Sequence, residues 1–142
     1  MNITERQQAI IAEFAALSEW EDRYRRIIEY GRDLPAMDPA HKTDKNQVKG
    51  CQSVVWLHAE LKDGAVVYSG DSDAMIVRGL IALLLKVYSG ATPADVLATP
   101  PDFINATGLA SHLSQTRANG LAAMVKQIRL YALAFQALAG RR

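Results

Sequence analysis

Residues Ala74 to Tyr88 read as a helix that is apolar almost all the way round. Such a helix has no face to turn toward water, so the rest of the chain must be able to surround it. Gly79 sits inside this segment at a cost in helix propensity, which predicts that another element approaches the backbone closely there. The strongly apolar run Gly79 to Leu85 is bounded by Arg78 and Lys86 and falls far short of the roughly 20 residues a membrane span requires, so the helix is expected to be a core helix. With 142 residues, 49% hydrophobic and 22% charged, the chain can bury that helix in one compact domain spanning residues 1–142, with no metal or disulfide staple needed.

The flanking segments supply the cover. Ile10, Ile11, Phe14 and Leu17 recur at helical spacing within 4–17. Ser18-Glu19-Trp20-Glu21 has the form of a capping box, opening a second helix with Tyr24, Ile27 and Ile28 on its apolar stripe and its end near Gly31. Residues 32–50, with two prolines and no regular apolar repeat, read as the longest loop. Val54 to Leu61 and Ala65 to Ser69, joined by Asp63-Gly64, read as an antiparallel hairpin; periodicity leaves open whether a third strand forms near Val48. Asp73 is placed to cap the helix 74–88. Gly90 ends that helix, Thr92-Pro93 starts a short one, Pro100-Pro101 precedes another, and Ser114 caps a long terminal helix with Leu121, Val125, Ile128, Ala132, Phe135 and Leu138 along one face. The fold class is therefore α+β, a small antiparallel sheet packed against several helices.

Charge and cysteine count exclude several functions. Sixteen Lys and Arg against fifteen acids leave a formal charge of +1, too little to track a phosphate backbone, so no nucleic-acid partner is expected. The start, Met1 to Arg6, lacks an apolar signal core, which makes the cytoplasm the expected location, with no membrane association. One cysteine, Cys51, forbids an internal disulfide and a multi-thiolate metal site, so any thiol chemistry must be intermolecular. His41, His58 and His112 are too dispersed along the chain for a recognisable ligand motif, and no metal site is expected. Asp71 and Asp73 begin like a calcium loop, but Ile76 and Ala82 stand where that loop needs glycine and glutamate.

Cys51 lies where the long loop meets the first strand, a position that presents a side chain without packing it on all sides. Lys42, Lys45 and Lys49 precede it with only Asp44 opposing them, and nearby cations stabilise the thiolate, the attacking form. A packed small hydrophobe is the plainer reading of a lone cysteine. Trp20 and Trp56 read as core residues. Arg117, in the first turn of the terminal helix, is a misplaced cation against the helix dipole, which suits either a bare surface position or a specific partner.

The segment Gly50-Cys51-Gln52-Ser53-Val54-Val55-Trp56 resembles the signature of SufE-type proteins, which include the related CsdE proteins. Ser69 to Ile81 resembles the second block of that family and Leu109 to Leu121 the third, in the same order; Trp20 to Tyr24 and Ile27 to Pro35 also fit. Gln115 stands where many members have proline, a departure that bears on helix initiation. The resemblance implies a fold like that of the IscU-type iron-sulfur scaffolds. It also implies a role as sulfur acceptor and activator of a cysteine desulfurase of SufS or CsdA type, sulfur passing onward to an iron-sulfur scaffold. The chain would carry no cofactor; pyridoxal phosphate would belong to the partner. On this resemblance Cys51 forms the persulfide and Asp73 supports its loop or the partner contact, a role that can coexist with capping. Arg117 belongs to the active region, with Gly50, Gln52 and Ser53 beside Cys51. The alternative is a non-catalytic adaptor that stimulates the desulfurase by binding alone. A homodimer is compatible with the sequence.

Overall fold

The computed structural model describes residues 1–139. Its elements are α1 (Ile3–Ala15), α2 (Trp20–Asp33), β1 (Val55–Lys62), β2 (Ala65–Ser72), α3 (Met75–Tyr88), α4 (Pro93–Ala98), α5 (Phe103–Ala106), α6 (Leu109–His112) and α7 (Gln115–Ala139), with two single 3-10 turns, Pro39–His41 and Asp44–Asn46, inside the long loop. The expected α+β domain is what forms. Among the described residues no helix is long and apolar enough to cross a membrane.

In α3 only Met75, Ile76, Arg78 and Lys86 escape full burial. The helix lies between α2 on one side and the hairpin on the other, with α1 and α7 closing the remaining gaps. The close approach expected at Gly79 is with α2: a methyl group built there would lie 2.1 Å from the Ile27 carbonyl oxygen. Gly31 is the reciprocal residue, since a methyl group on it would lie 2.8 Å from the Gly79 nitrogen. Gly31 is therefore a packing glycine inside α2, and the helix runs past it to Asp33. A helix stop and a helix crossing select glycine for different reasons, and the sequence alone does not separate them.

The hairpin is two-stranded, with Val55 opposite Ser72 and Lys62 opposite Ala65. Asp63 and Gly64 both have positive φ, 52° and 81°, the conformation a two-residue hairpin turn requires. Val55, Leu57 and Ala59 of β1 point into the core with Val66, Tyr68, Gly70 and Ser72 of β2. Trp56, His58 and Glu60 alternate to the outer face. Among the described residues no third strand forms: the loop contributes a single bridge, Gln47 to Trp56, with the Val48 amide donating to the Val55 carbonyl at 2.8 Å.

The capping box forms at α1 and not at α2. At α1 the Asn2 side chain accepts from the Glu5 amide and the Glu5 carboxylate accepts from the Asn2 amide. At α2 the N-cap is Glu19, without a side-chain bond, so the Ser18 box does not form. Thr92 and Ser114 do cap, accepting from Asp95 at 3.2 Å and from Arg117 at 3.2 Å. Along α7 the buried face is Gly120, Leu121, Met124, Ile128 and Ala132; Val125 and Phe135 are half-buried and Leu138 is exposed. The helix outruns the core it covers, so Leu138 near its end stays exposed while Phe135 still reaches the core edge.

Candidate functional site

Cys51 follows Gly50, whose φ of 91° lies in the left-handed region, so the chain turns sharply just before β1 and swings the thiol toward α7. The sulfur is half-buried and sits 3.5 Å from the Gly120 carbonyl oxygen. A methyl group at residue 120 would lie 3.4 Å from that sulfur, an ordinary contact distance, so the thiol packs directly against this turn of α7. Cys51, Gln52 and Ser53 form one wall of a cavity of about 370 Å³, and Ser114, Thr116, Arg117, Gly120 and Met124 form the wall from the start of α7. Val77 and Leu80 of α3 make its apolar floor.

The structure thus brings Cys51, Gln52, Ser53 and Arg117 to one concavity, although sixty residues of hairpin and helices separate the two walls in sequence. Arg117 is exposed at the rim, and no ion pair among the described residues includes it. Its guanidinium is free to meet an anion arriving at the sulfur. Gly120 and Met124 of α7 and Val77 and Leu80 of α3 line the cavity without having been singled out as site residues from sequence, and of these Gly120 touches the sulfur. Its signal was present, a glycine inside a helix, the same feature that drew attention at Gly79.

Asp73 does not cap α3. The N-cap is Ala74, and Asp73 Oδ1 instead accepts from the Val54 amide at 3.1 Å. Ser72 completes the clamp, its hydroxyl donating to the Val54 carbonyl at 2.7 Å and accepting from the Ala74 amide at 3.2 Å. Residues 72 and 73 therefore hold both backbone groups of Val54, three residues after Cys51, because the register ends with Val55 opposite Ser72 and leaves Val54 without a strand partner. Asp73 thus holds the backbone just after Cys51 instead of the helix start, and the capping role is overturned.

The lysines do not act on Cys51 as expected. Burial pushes the Cys51 thiol above its ordinary value. Lys42 is committed elsewhere, 2.7 Å from Asp71 Oδ2, while Lys45 and Lys49 are exposed. Asp71 also faces Arg78, at 3.4 Å, and links the long loop, β2 and α3. Burial alone would raise the Asp71 carboxyl, but hydrogen bonds from Lys42 and the Ser72 amide, with the charges of Arg78 and Lys42, outweigh it and hold the group below its usual range. In the resting fold partial burial disfavours the thiolate of Cys51.

Neither tryptophan is fully buried. Trp20 stacks on His112 at 3.6 Å between ring centres, with Arg23 over its other side at 4.8 Å, while Trp56 lies on the outer sheet face under Lys42. His41 and His58 are also not dispersed in space: their rings stack at 3.8 Å.

Residues 8–132 match the family model for the SufE, Fe-S metabolism associated domain. The chain belongs to the SufE family. It is 45% identical over 125 residues to an uncharacterised SufE-like protein of Rhizobium meliloti, covering 84% of this chain and 89% of the relative. It is 42% identical over 127 residues to an uncharacterised SufE-like protein of Synechocystis, covering 89% and 80%. The solution structure of a hypothetical protein from Thermus thermophilus has the same fold, with a TM-score of 0.77 over 91% of this chain and 94% of that one, at 24% identity. Membership of the SufE family associates the chain with iron-sulfur metabolism.

Proposed function

We propose that this SufE-family chain accepts sulfur at Cys51 from a pyridoxal-phosphate cysteine desulfurase of SufS or CsdA type and passes it toward an iron-sulfur scaffold, acting in the cytoplasm without a cofactor of its own. The observation that carries the proposal is that the chain's one thiol lines a cavity whose opposite wall carries Arg117, which no carboxylate among the described residues pairs with. In the transfer, Cys51 thiolate attacks the outer sulfur of the partner's persulfide. The partner's sulfur-sulfur bond breaks, its thiolate leaves with the electron pair, and a new persulfide remains on Cys51. One sulfur-sulfur bond replaces another, so no oxidant or reductant is consumed. The cavity gives the added sulfur space beside the apolar floor, and Arg117 offers a cation to the persulfide anion.

Burial disfavours the Cys51 thiolate in the resting fold, and movement of the cysteine loop as the partner docks relieves that cost. Gly50 provides the hinge, and the Val54 clamp limits the movement to the residues before it. The test incubates the chain with cysteine and a desulfurase and reads its intact mass. A gain of one sulfur atom, absent in Cys51→Ser, is expected; no gain in the wild type sinks the proposal.

One observation favours the adaptor reading: the sulfur packs against Gly120 like any small buried side chain. An adaptor retains its stimulation of the desulfurase after Cys51→Ser, whereas an acceptor loses it. Alkylation of Cys51 should also accelerate when the partner binds, and an unchanged rate rejects the loop movement.

A further inference from the structure

A second cluster lies on the outer face of the hairpin, away from the cysteine cavity. His58 and Glu60 occupy alternate positions of β1, so both side chains leave the same face of the sheet. His41, from the first 3-10 turn of the long loop, lies against them, and one ligand-capable atom from each of the three residues falls within 4.8 Å of the others. We propose that His41, His58 and Glu60 form a binding site for a divalent transition metal, zinc being the best match, that staples the long loop to β1.

Tetrahedral zinc with bonds of 2.0–2.1 Å holds its ligand atoms about 3.3 Å apart. The pair His58 Nε2 and Glu60 Oε1 already stands at 3.3 Å. The two rings are stacked, with planes 19° apart. Because the nitrogen lone pairs lie in the ring planes, His41 has to turn about its Cβ–Cγ bond to share an ion with His58. That torsion has broad wells, so the present spread of up to 4.8 Å between ligand atoms is within the range that side-chain rotation can change. Two imidazoles and one carboxylate with an open position for water form a borderline donor set that suits zinc, nickel and copper and discriminates against magnesium and calcium.

The backbone beneath the ligands is fixed independently. The His41 carbonyl accepts from Asn46 Nδ2 at 2.8 Å, and its amide donates to the Asp38 carbonyl at 2.9 Å. The Tyr131 hydroxyl of α7 donates to the Leu57 carbonyl of β1 at 2.9 Å and shares that one proton with Asn46 Oδ1, 3.3 Å away. The loop is thus braced from β1 and α7 at the residue that holds the His41 turn, as a preorganised site requires. Lys62, 3.7 Å from the other Glu60 oxygen, competes for that carboxylate and limits the affinity. His41 precedes Cys51 in the chain and His58 follows it, so a bound ion would tether the loop that carries the thiol from both directions.

The test titrates Zn²⁺ into the metal-free full chain by calorimetry, in the wild type and in Cys51→Ser, His41→Ala and His58→Ala. One ion per chain is expected, with equal affinity in Cys51→Ser and a loss of at least about tenfold in each histidine variant. On the wild type, NMR should show the ring signals of His41 and His58 shifting with Zn²⁺ while those of His112 stay, and Mg²⁺ should move none of them. Absence of saturable binding, unchanged affinity in either histidine variant, loss of binding in Cys51→Ser, or shifts confined to His112 would each overturn the site.

Discussion

At the scale of single residues, the reactivity of Cys51 is set by how much water it keeps. Burial disfavours the thiolate, and no committed cation offsets it, so alkylation at neutral pH should be slower than for a solvent-exposed cysteine. Its rate should still be rising above the ordinary cysteine pKa of about 8.5. A pH profile of iodoacetamide labelling that levels off at or below that value contradicts the buried-thiol geometry. Asp73 tests the clamp. Asp73→Ala leaves the Val54 amide without its acceptor at a partly exposed site, so unfolding should become easier by about 1 kcal/mol, measured by urea denaturation, with faster labelling of Cys51. Stability loss without faster labelling would mean that the clamp does not control the loop. Asp73 also shows what local spacing misses: its position suits an N-cap, but the strand ends one residue earlier and leaves Val54 needing a partner first.

At the scale of elements, the crossing of α2 and α3 is the tightest constraint in the molecule. Backbone meets backbone at Gly79, so Gly79→Ala cannot be absorbed by rotating a side chain; the helices must separate. The expected cost is about 1–3 kcal/mol, against the small gain in helix propensity that alanine brings on an open helix. A urea midpoint equal to the wild type would show that the crossing is looser than described. The same close approach was legible at Gly79, because glycine in the middle of an apolar helix has no local justification. It was not legible at Gly31, near a helix end, where capping is a sufficient reason for glycine. The capping boxes make a similar point: Ser18 and Asn2 both stand before a suitable acid, and only the path of the chain into each helix selects which one closes.

At the scale of the whole molecule, α7 serves both the core and the candidate site. Gly120 and Arg117 in its first turns face Cys51, and further along its Ile128 carbonyl accepts a buried hydrogen bond from the Tyr68 hydroxyl of β2 at 2.8 Å. Tyr68→Phe removes the donor and leaves that carbonyl with its helical bond alone. A loss of about 0.5–1.5 kcal/mol is expected by thermal or urea denaturation, together with faster amide exchange in both the hairpin and α7. Exchange that rises in one element only would show that the bond does not couple them. The consequence for function is that the two walls of the cysteine cavity are held in register from a distance, through the sheet.

By itself, the sequence determined the element types, the hairpin turn, the central helix, the single thiol and, through three ordered motif blocks, the family. These are properties of short windows, where periodicity, turn chemistry and residue identity act locally. Tertiary structure alone decided that Gly31 packs instead of stopping a helix, that Asp73 holds Val54, that Lys42 serves Asp71, that Gly120 lies against the Cys51 sulfur, and that His41 meets His58. Each of these is a contact between segments far apart in the chain. Such contacts follow from which faces the core leaves to be covered, and that is settled only when all the elements are packed at once.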